Sequence, residues 1–79
     1  MLTFYNQSVI FFAMSEKFDG AKLKRKRTDL RITQKELAKA IGVSSITIGR
    51  YERNHRIPDS NALVRILQQL NCPYDDLFL

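Results

Sequence analysis

Two helix-forming stretches around one tight turn, in the segment Thr33 to Arg56 (TQKELAKAIGVSSITIGRYERNHR), constrain this chain more than any other feature. Thr33 and Glu36 form a capping box. The threonine hydroxyl accepts from the Glu36 amide and the glutamate reaches back to the Thr33 amide, so a helix begins near Gln34. Leu37, Ala38 and Ile41 recur along it at one-turn spacing, and Gly42, free to take a positive φ, ends it. After Val43, Ser44 is a good N-cap and opens a second helix whose residues divide into two stripes. Ile48, Tyr51 and Glu52 share one. Ser45, Ile46, Gly49, Arg50 and Arg53 share the other, which carries two arginines and little else of bulk. Such a stripe is no core surface; it meets solvent or a partner.

The partner's chemistry follows from charge. The chain carries a formal net charge of +5, and the imbalance is local. Residues 21–56 hold eleven Lys and Arg against Asp29, Glu36 and Glu52, whereas residues 57–79 hold Arg65 against three aspartates. A polyanion suits this field, since each neutralised phosphate releases condensed counterions. At 79 residues the chain makes one domain with a thin core, because a chain this short buries only about 60% of its unfolded surface or a little more. With one cysteine, Cys72, no intrachain disulfide forms, and with one histidine, His55, no histidine-rich metal site assembles.

The remaining punctuation predicts more helices. In AKLKRKRTDL, Leu23, Arg27 and Leu30 fall on one inward stripe, an arginine among them, while Lys22, Lys24, Arg25 and Lys26 make a solvated positive face. Asn54 serves as a left-handed terminator after the second helix of the pair, and Pro58 blocks continuation. Asp59 or Ser60 caps a fourth helix with Leu63, Ile66, Leu67 and Leu70 inward and Val64 at the edge, closed by Asn71. Pro73, with Asp75 and Asp76 behind it, predicts a last short helix finishing in Leu77, Phe78 and Leu79. Residues 1–18 read as an N-terminal arm, extended or disordered, in which LTFY and VIFF have strand composition. The arm lacks a charged secretion leader and is too short and interrupted to cross a bilayer, so a cytoplasmic protein is expected. Met14, followed by SEKFDG, is an alternative start.

Taken in order, the basic first helix, ITQKELAKAIGVS, IGRYERN, Pro58 and the closing LVRILQQLNCPYDDLF make residues 19–79 resemble the lambda Cro/cI-type, or XRE, family of helix-turn-helix DNA-binding proteins. The resemblance implies an all-α, five-helix domain whose third helix lies in the major groove of double-stranded DNA. Position by position, it implies that Ser45, Ile46, Thr47, Gly49 and Arg50 sit where relatives read bases. Arg50 is placed for the O6 and N7 of guanine, and Ile46 or Thr47 for a thymine methyl. Gln34, Ser44, Arg53, Asn54, His55 and Arg56 match positions that lie along the DNA backbone. It further implies a buried ion pair between Arg27 and Glu52. Two departures stand out: Gly49 where relatives often carry a polar reader, and the apolar arm.

The expected function is therefore a sequence-specific transcriptional regulator, a repressor that binds a near-palindromic operator as a homodimer. The dimer contacts would come from Leu77, Phe78 and Leu79 or from the arm pairing as strands. The alternative is an antitoxin or coactivator-like module that uses the same fold to hold a protein partner, with the arm as a docking peptide. No Gly-rich phosphate loop, carboxylate pair or nucleophile elbow appears in the sequence. Hence no enzyme, cofactor, metal site, small-molecule substrate or membrane partner is expected.

Overall fold

A computed structural model describes residues 17–79, in which four α-helices are joined by short turns and followed by one 3-10 turn. Helix α1 spans Gly20–Asp29, α2 Gln34–Ile41, α3 Ser45–Glu52 and α4 Ser60–Leu70, with the 3-10 turn at Tyr74–Leu77. Each α-helix starts on a side-chain cap. Asp19, Thr33, Ser44 and Asp59 accept from the amides of Ala21, Glu36, Thr47 and Ala62, and Thr33 with Glu36 completes the capping box.

All four helices stop in the same way. A left-handed residue follows the last turn, at Arg31 (φ 60°), Gly42 (80°), Asn54 (60°) and Asn71 (49°). The next amide then reaches back five residues, from Ile32 to the Arg27 carbonyl, Val43 to Ala38, His55 to Arg50 and Cys72 to Leu67. These bonds satisfy carbonyls that a helix end otherwise leaves without a donor. Because α1 ends at Asp29, Leu30 falls beyond the inward stripe and is 46% exposed.

The apolar stripes of the helices meet in one core, whose fully buried members are Leu23, Leu37, Ile41, Ile48, Ile66, Leu70 and Leu77. Leu63 and Leu67 pack against it from the half-buried edge of α4. Helix α2 lies between α3 and α4, and α1 packs on α3 and on the 3-10 turn. Burying each Leu or Ile contributes about 1.5–3 kcal/mol, so a few side chains carry most of the stability.

The expected fifth helix is reduced to a single 3-10 turn. Pro73 precedes it, and Phe78 turns to extended backbone (φ −124°, ψ 153°) and bridges antiparallel to Phe18. The Leu79 amide donates to the Lys17 carbonyl and the Asp19 amide to the Leu77 carbonyl, closing a small clasp between the two ends of the body. The Phe18 and Phe78 rings meet edge to face, 5.9 Å apart. Phe18, assigned from sequence to the arm, is thus part of the core. Leu77 and Phe78 are also buried within the monomer, so neither is free to make the dimer contacts expected of them; Leu79 alone of the three is exposed. The strand reading of LTFY and VIFF, and with it pairing through the arm, falls outside the described residues.

Gly20 is fixed by proximity. A Cβ there would lie 2.1 Å from the Tyr51 carbonyl oxygen and 2.7 Å from the Glu52 backbone, so the start of α1 touches the end of α3 as only glycine permits.

Candidate nucleic-acid interface

Three donors converge on one carboxylate to hold α3 in place. Arg27 Nε donates to Glu52 Oε2 at 2.5 Å, Arg27 Nη2 to Oε1 at 3.1 Å, and Gln34 Nε2 to Oε1 at 3.0 Å. Arg27 Nη1 donates to the Ile32 carbonyl, so the guanidinium fork is satisfied although its side chain is only 8% exposed. Glu52 is buried deeper, at 2%. The pair is locked into α1 and α3, and Gln34, at the first position of α2, is aimed by the same oxygen.

With its inner side bound in this way, α3 turns the opposite stripe outward. Ser45, Ile46 and Arg50 are exposed, Ile46 at 64%. Thr47 does not join them. Its spacing stacks it with buried Tyr51 rather than with Ile46 or Arg50, and its hydroxyl is hydrogen-bonded to Ser44 Oγ at 3.0 Å. Thr47 instead lines a polar cleft of about 400 Å³ with Ser44, Arg56, Asp59, Asn61 and Arg65. Gly49 lies on the outward stripe but is buried, because the Arg53 guanidinium covers it.

The residues matched to the DNA backbone separate as well. Ser44, His55 and Arg56 are exposed and Gln34 half-buried, at the edges of the α2–α3 pair. Asn54 is exposed but has a structural duty: its Oδ1 accepts from the Gly20 amide at 2.8 Å, tying the loop after α3 to the start of α1. Arg53 leaves the loop set and folds back over α3.

The basic face of α1 is narrower than its composition implies. Lys22 donates to the Phe78 carbonyl and Lys26 pairs with Asp76 at 3.2 Å, so both turn toward the C-terminal clasp. Lys24 and Arg25 stay exposed. Arg65 was not singled out from sequence, although a lone arginine in the acidic final third invited the question. Its Nη1 approaches the Ile41 carbonyl at 3.4 Å, at the negative end of α2, and its side chain adds positive charge to the cleft beside Arg56.

Two side chains have shifted titration. Glu36 is held below its ordinary range by the hydrogen bond from the Thr33 amide and then by the Thr33 side chain. Burial, with Asp76 nearby, pushes the Cys72 thiol up. Neither group lies on the outward stripe of α3. Among the described residues no His, Cys, Asp and Glu cluster has metal-binding geometry, and no helix is long and apolar enough to cross a membrane.

This geometry has known counterparts. The model of the helix-turn-helix family matches residues 23–77. Repressor protein C2 of Salmonella phage P22 is 31% identical over 64 residues, 81% of this chain and 30% of that protein. The HTH-type transcriptional regulator ImmR of Bacillus subtilis is 33% identical over 58 residues, 73% of this chain and 46% of its own length. The chain thus spans less than half of either relative. In three dimensions it superposes on the P22 c2 repressor, solved in complex with a synthetic operator, with a TM-score of 0.70 and 30% identity, covering 75% of this chain and 89% of that one.

Proposed function

Because the chain belongs to the XRE-type helix-turn-helix family, we propose that it is a sequence-specific double-stranded DNA-binding regulator of transcription, a repressor that occupies a near-palindromic operator as a homodimer. The observation that carries this reading is the outward stripe of α3. Ser45, Ile46 and Arg50 stand exposed on a helix whose opposite side is fixed by the Arg27–Glu52–Gln34 network. A rigid helix presenting short polar, apolar and guanidinium groups suits the major groove, where Arg50 can bond guanine O6 and N7 together and Ile46 can meet a thymine methyl. Ser45 supplies a small hydroxyl that either base-pair type accepts.

Backbone contacts fall to Gln34, Ser44, His55 and Arg56, with Arg65 and Asn61 extending the cleft beside Ser44. A phosphate resting there meets two guanidinium groups and a helix N-terminus. Lys24 and Arg25 act at longer range. One reader helix spans only a few base pairs, so useful specificity calls for two copies with centres about one DNA turn apart. Repression is then steric, by occupancy of a promoter, and the work is done in the cytoplasm.

Selection of bound sequences from a randomised duplex pool tests the reading. It should return a palindrome whose binding falls steeply with salt, since each phosphate contact adds about 0.9 to the slope. Arg50→Ala should lose about 1–3 kcal/mol at one base position only, while Lys24→Ala weakens all sequences alike. Weak, unselective binding by the wild type would end the DNA-reading proposal and favour a protein-interaction module on the same fold.

A further inference from the structure

The recognition stripe contains a gap, and a side chain from beyond the helix end fills it. Gly49 sits mid-helix, where glycine is the least favourable residue short of proline. Nothing in the backbone demands it, since its φ is not positive. What occupies the space is Arg53. A Cβ at position 49 would lie 3.2 Å from Arg53 Nη1 and 3.8 Å from both Cζ and Nη2, so the guanidinium rests against the bare backbone. The direction follows from helix geometry: side chains lean toward the N-terminus, so a residue covers the surface one turn before its own Cα.

The consequence is positional. Ser45, Gly49 and Arg53 stack at four-residue spacing, between Ile46 and Arg50 on one side and the buried Glu52 on the other. The Arg53 cation therefore lies over the middle of the outward stripe, away from the loop where phosphates would pass. Among the described residues, neither salt bridge engages Arg53, and no hydrogen bond from its guanidinium is formed. Its donors are unspent.

We propose that Arg53 is a base-reading residue, with guanine as its target, and that Gly49 is the vacancy through which it reaches the groove. This rests on the DNA-reading function above and changes what that function reads: two arginines on one stripe, Arg50 and Arg53, require two guanines in each half-site. A Cβ alone at position 49 needs the Arg53 guanidinium to give by only a few tenths of an ångström, whereas a branched side chain there takes its place and leaves Arg50 untouched.

The test is a per-position binding matrix from a randomised duplex pool, measured with the full chain as wild type, Arg50→Ala, Arg53→Ala, Gly49→Leu and Gly49→Leu/Arg53→Ala, each first checked for a native melt. Arg53→Ala is expected to flatten the guanine preference at one position, distinct from that of Arg50, by about five- to 150-fold. Gly49→Leu should flatten the same position, and the double variant should lose no more there than Arg53→Ala alone. If Arg53→Ala instead weakens every sequence equally and lowers the salt slope by about 0.9, Arg53 holds a phosphate and the assignment is overturned. An unchanged matrix overturns it too. Failure of the underlying function has a different signature, in which the wild type itself shows no preference at any position.

Discussion

Removing the Glu52 carboxylate is the perturbation whose size the geometry sets most directly. Glu52→Ala leaves the Arg27 guanidinium in a site where its side chain is 8% exposed, with only the Ile32 carbonyl still accepting from it. Breaking a buried pair on one side typically costs about 3–5 kcal/mol, most of it the stranded charge. Whole domains are stable by about 5–15 kcal/mol, and a small one sits low in that range. For a domain of this size 1 kcal/mol shifts the midpoint by about 4–8 °C, so the melt should fall by at least about 12 °C. The companion variant Arg27→Met/Glu52→Leu removes both charges and strands neither. It forfeits the bond from Gln34 and the bond to the Ile32 carbonyl, each worth about 0.5–1.5 kcal/mol. Both groups are half-buried and within reach of water, so the double variant should stand about 2 kcal/mol above Glu52→Ala. Urea unfolding of wild type and the two variants, followed by circular dichroism, measures all of this. Glu52→Ala within about 1 kcal/mol of wild type, or a double variant no more stable than the single one, refutes the account of Glu52 as the anchor of α3.

Two further outcomes check the local chemistry. Gly20→Ala should destabilise by about 1–3 kcal/mol or more, because the added carbon meets the Tyr51 carbonyl at 2.1 Å; a stability equal to or above wild type in urea would remove the close contact between α1 and α3. Glu36→Gln should reveal the capping box through pH. The Glu36 carboxyl titrates below its ordinary value of 4.5 in the folded chain, so its contribution is complete above that pH and is lost as pH falls through the lower, folded value. The gap in unfolding midpoint between wild type and Glu36→Gln should therefore close in acid, and a gap that stays constant counts against the charge-assisted cap.

What the sequence disclosed and what it hid divide by range of interaction. The caps at Thr33, Ser44 and Asp59 and the left-handed ends at Gly42, Asn54 and Asn71 were legible because each is decided within five residues by a side chain suited to the task. Arg31 takes the same left-handed conformation with no such chemistry, and residue type gave no sign of it. Lys22 and Lys26 read as solvated because their partners, Phe78 and Asp76, lie 50 or more residues away. The last helix was mistaken for the same reason: a turn rich in helix-start signals is cut short by the pairing of Phe78 with Phe18, which only the tertiary clasp supplies. In the candidate site, stripe membership followed from periodicity, whereas the fates of Thr47, Asn54 and Arg53 depended on what each side chain met.

These contacts give α3 two sides with different duties. Ile48, Tyr51 and Glu52 face inward and hold the helix, with Glu52 taking donors from α1 and α2 at once. Ser45, Ile46 and Arg50 face outward and hold nothing, so changes there should leave the fold within about 0.5 kcal/mol while altering what is bound. The end of the helix joins the two. Asn54, in its left-handed turn, binds the Gly20 amide and so fixes where the chain leaves α3 relative to the basic side of α1. Arg53, the residue immediately before that anchor, starts from a backbone held on both sides, by its amide to the Gly49 carbonyl and by the Asn54 tie. A long cation on a fixed stem loses less freedom on binding than one on a mobile loop. The stem's rigidity and the gap at Gly49 therefore act together, one aiming the guanidinium and the other giving it room on the outward stripe.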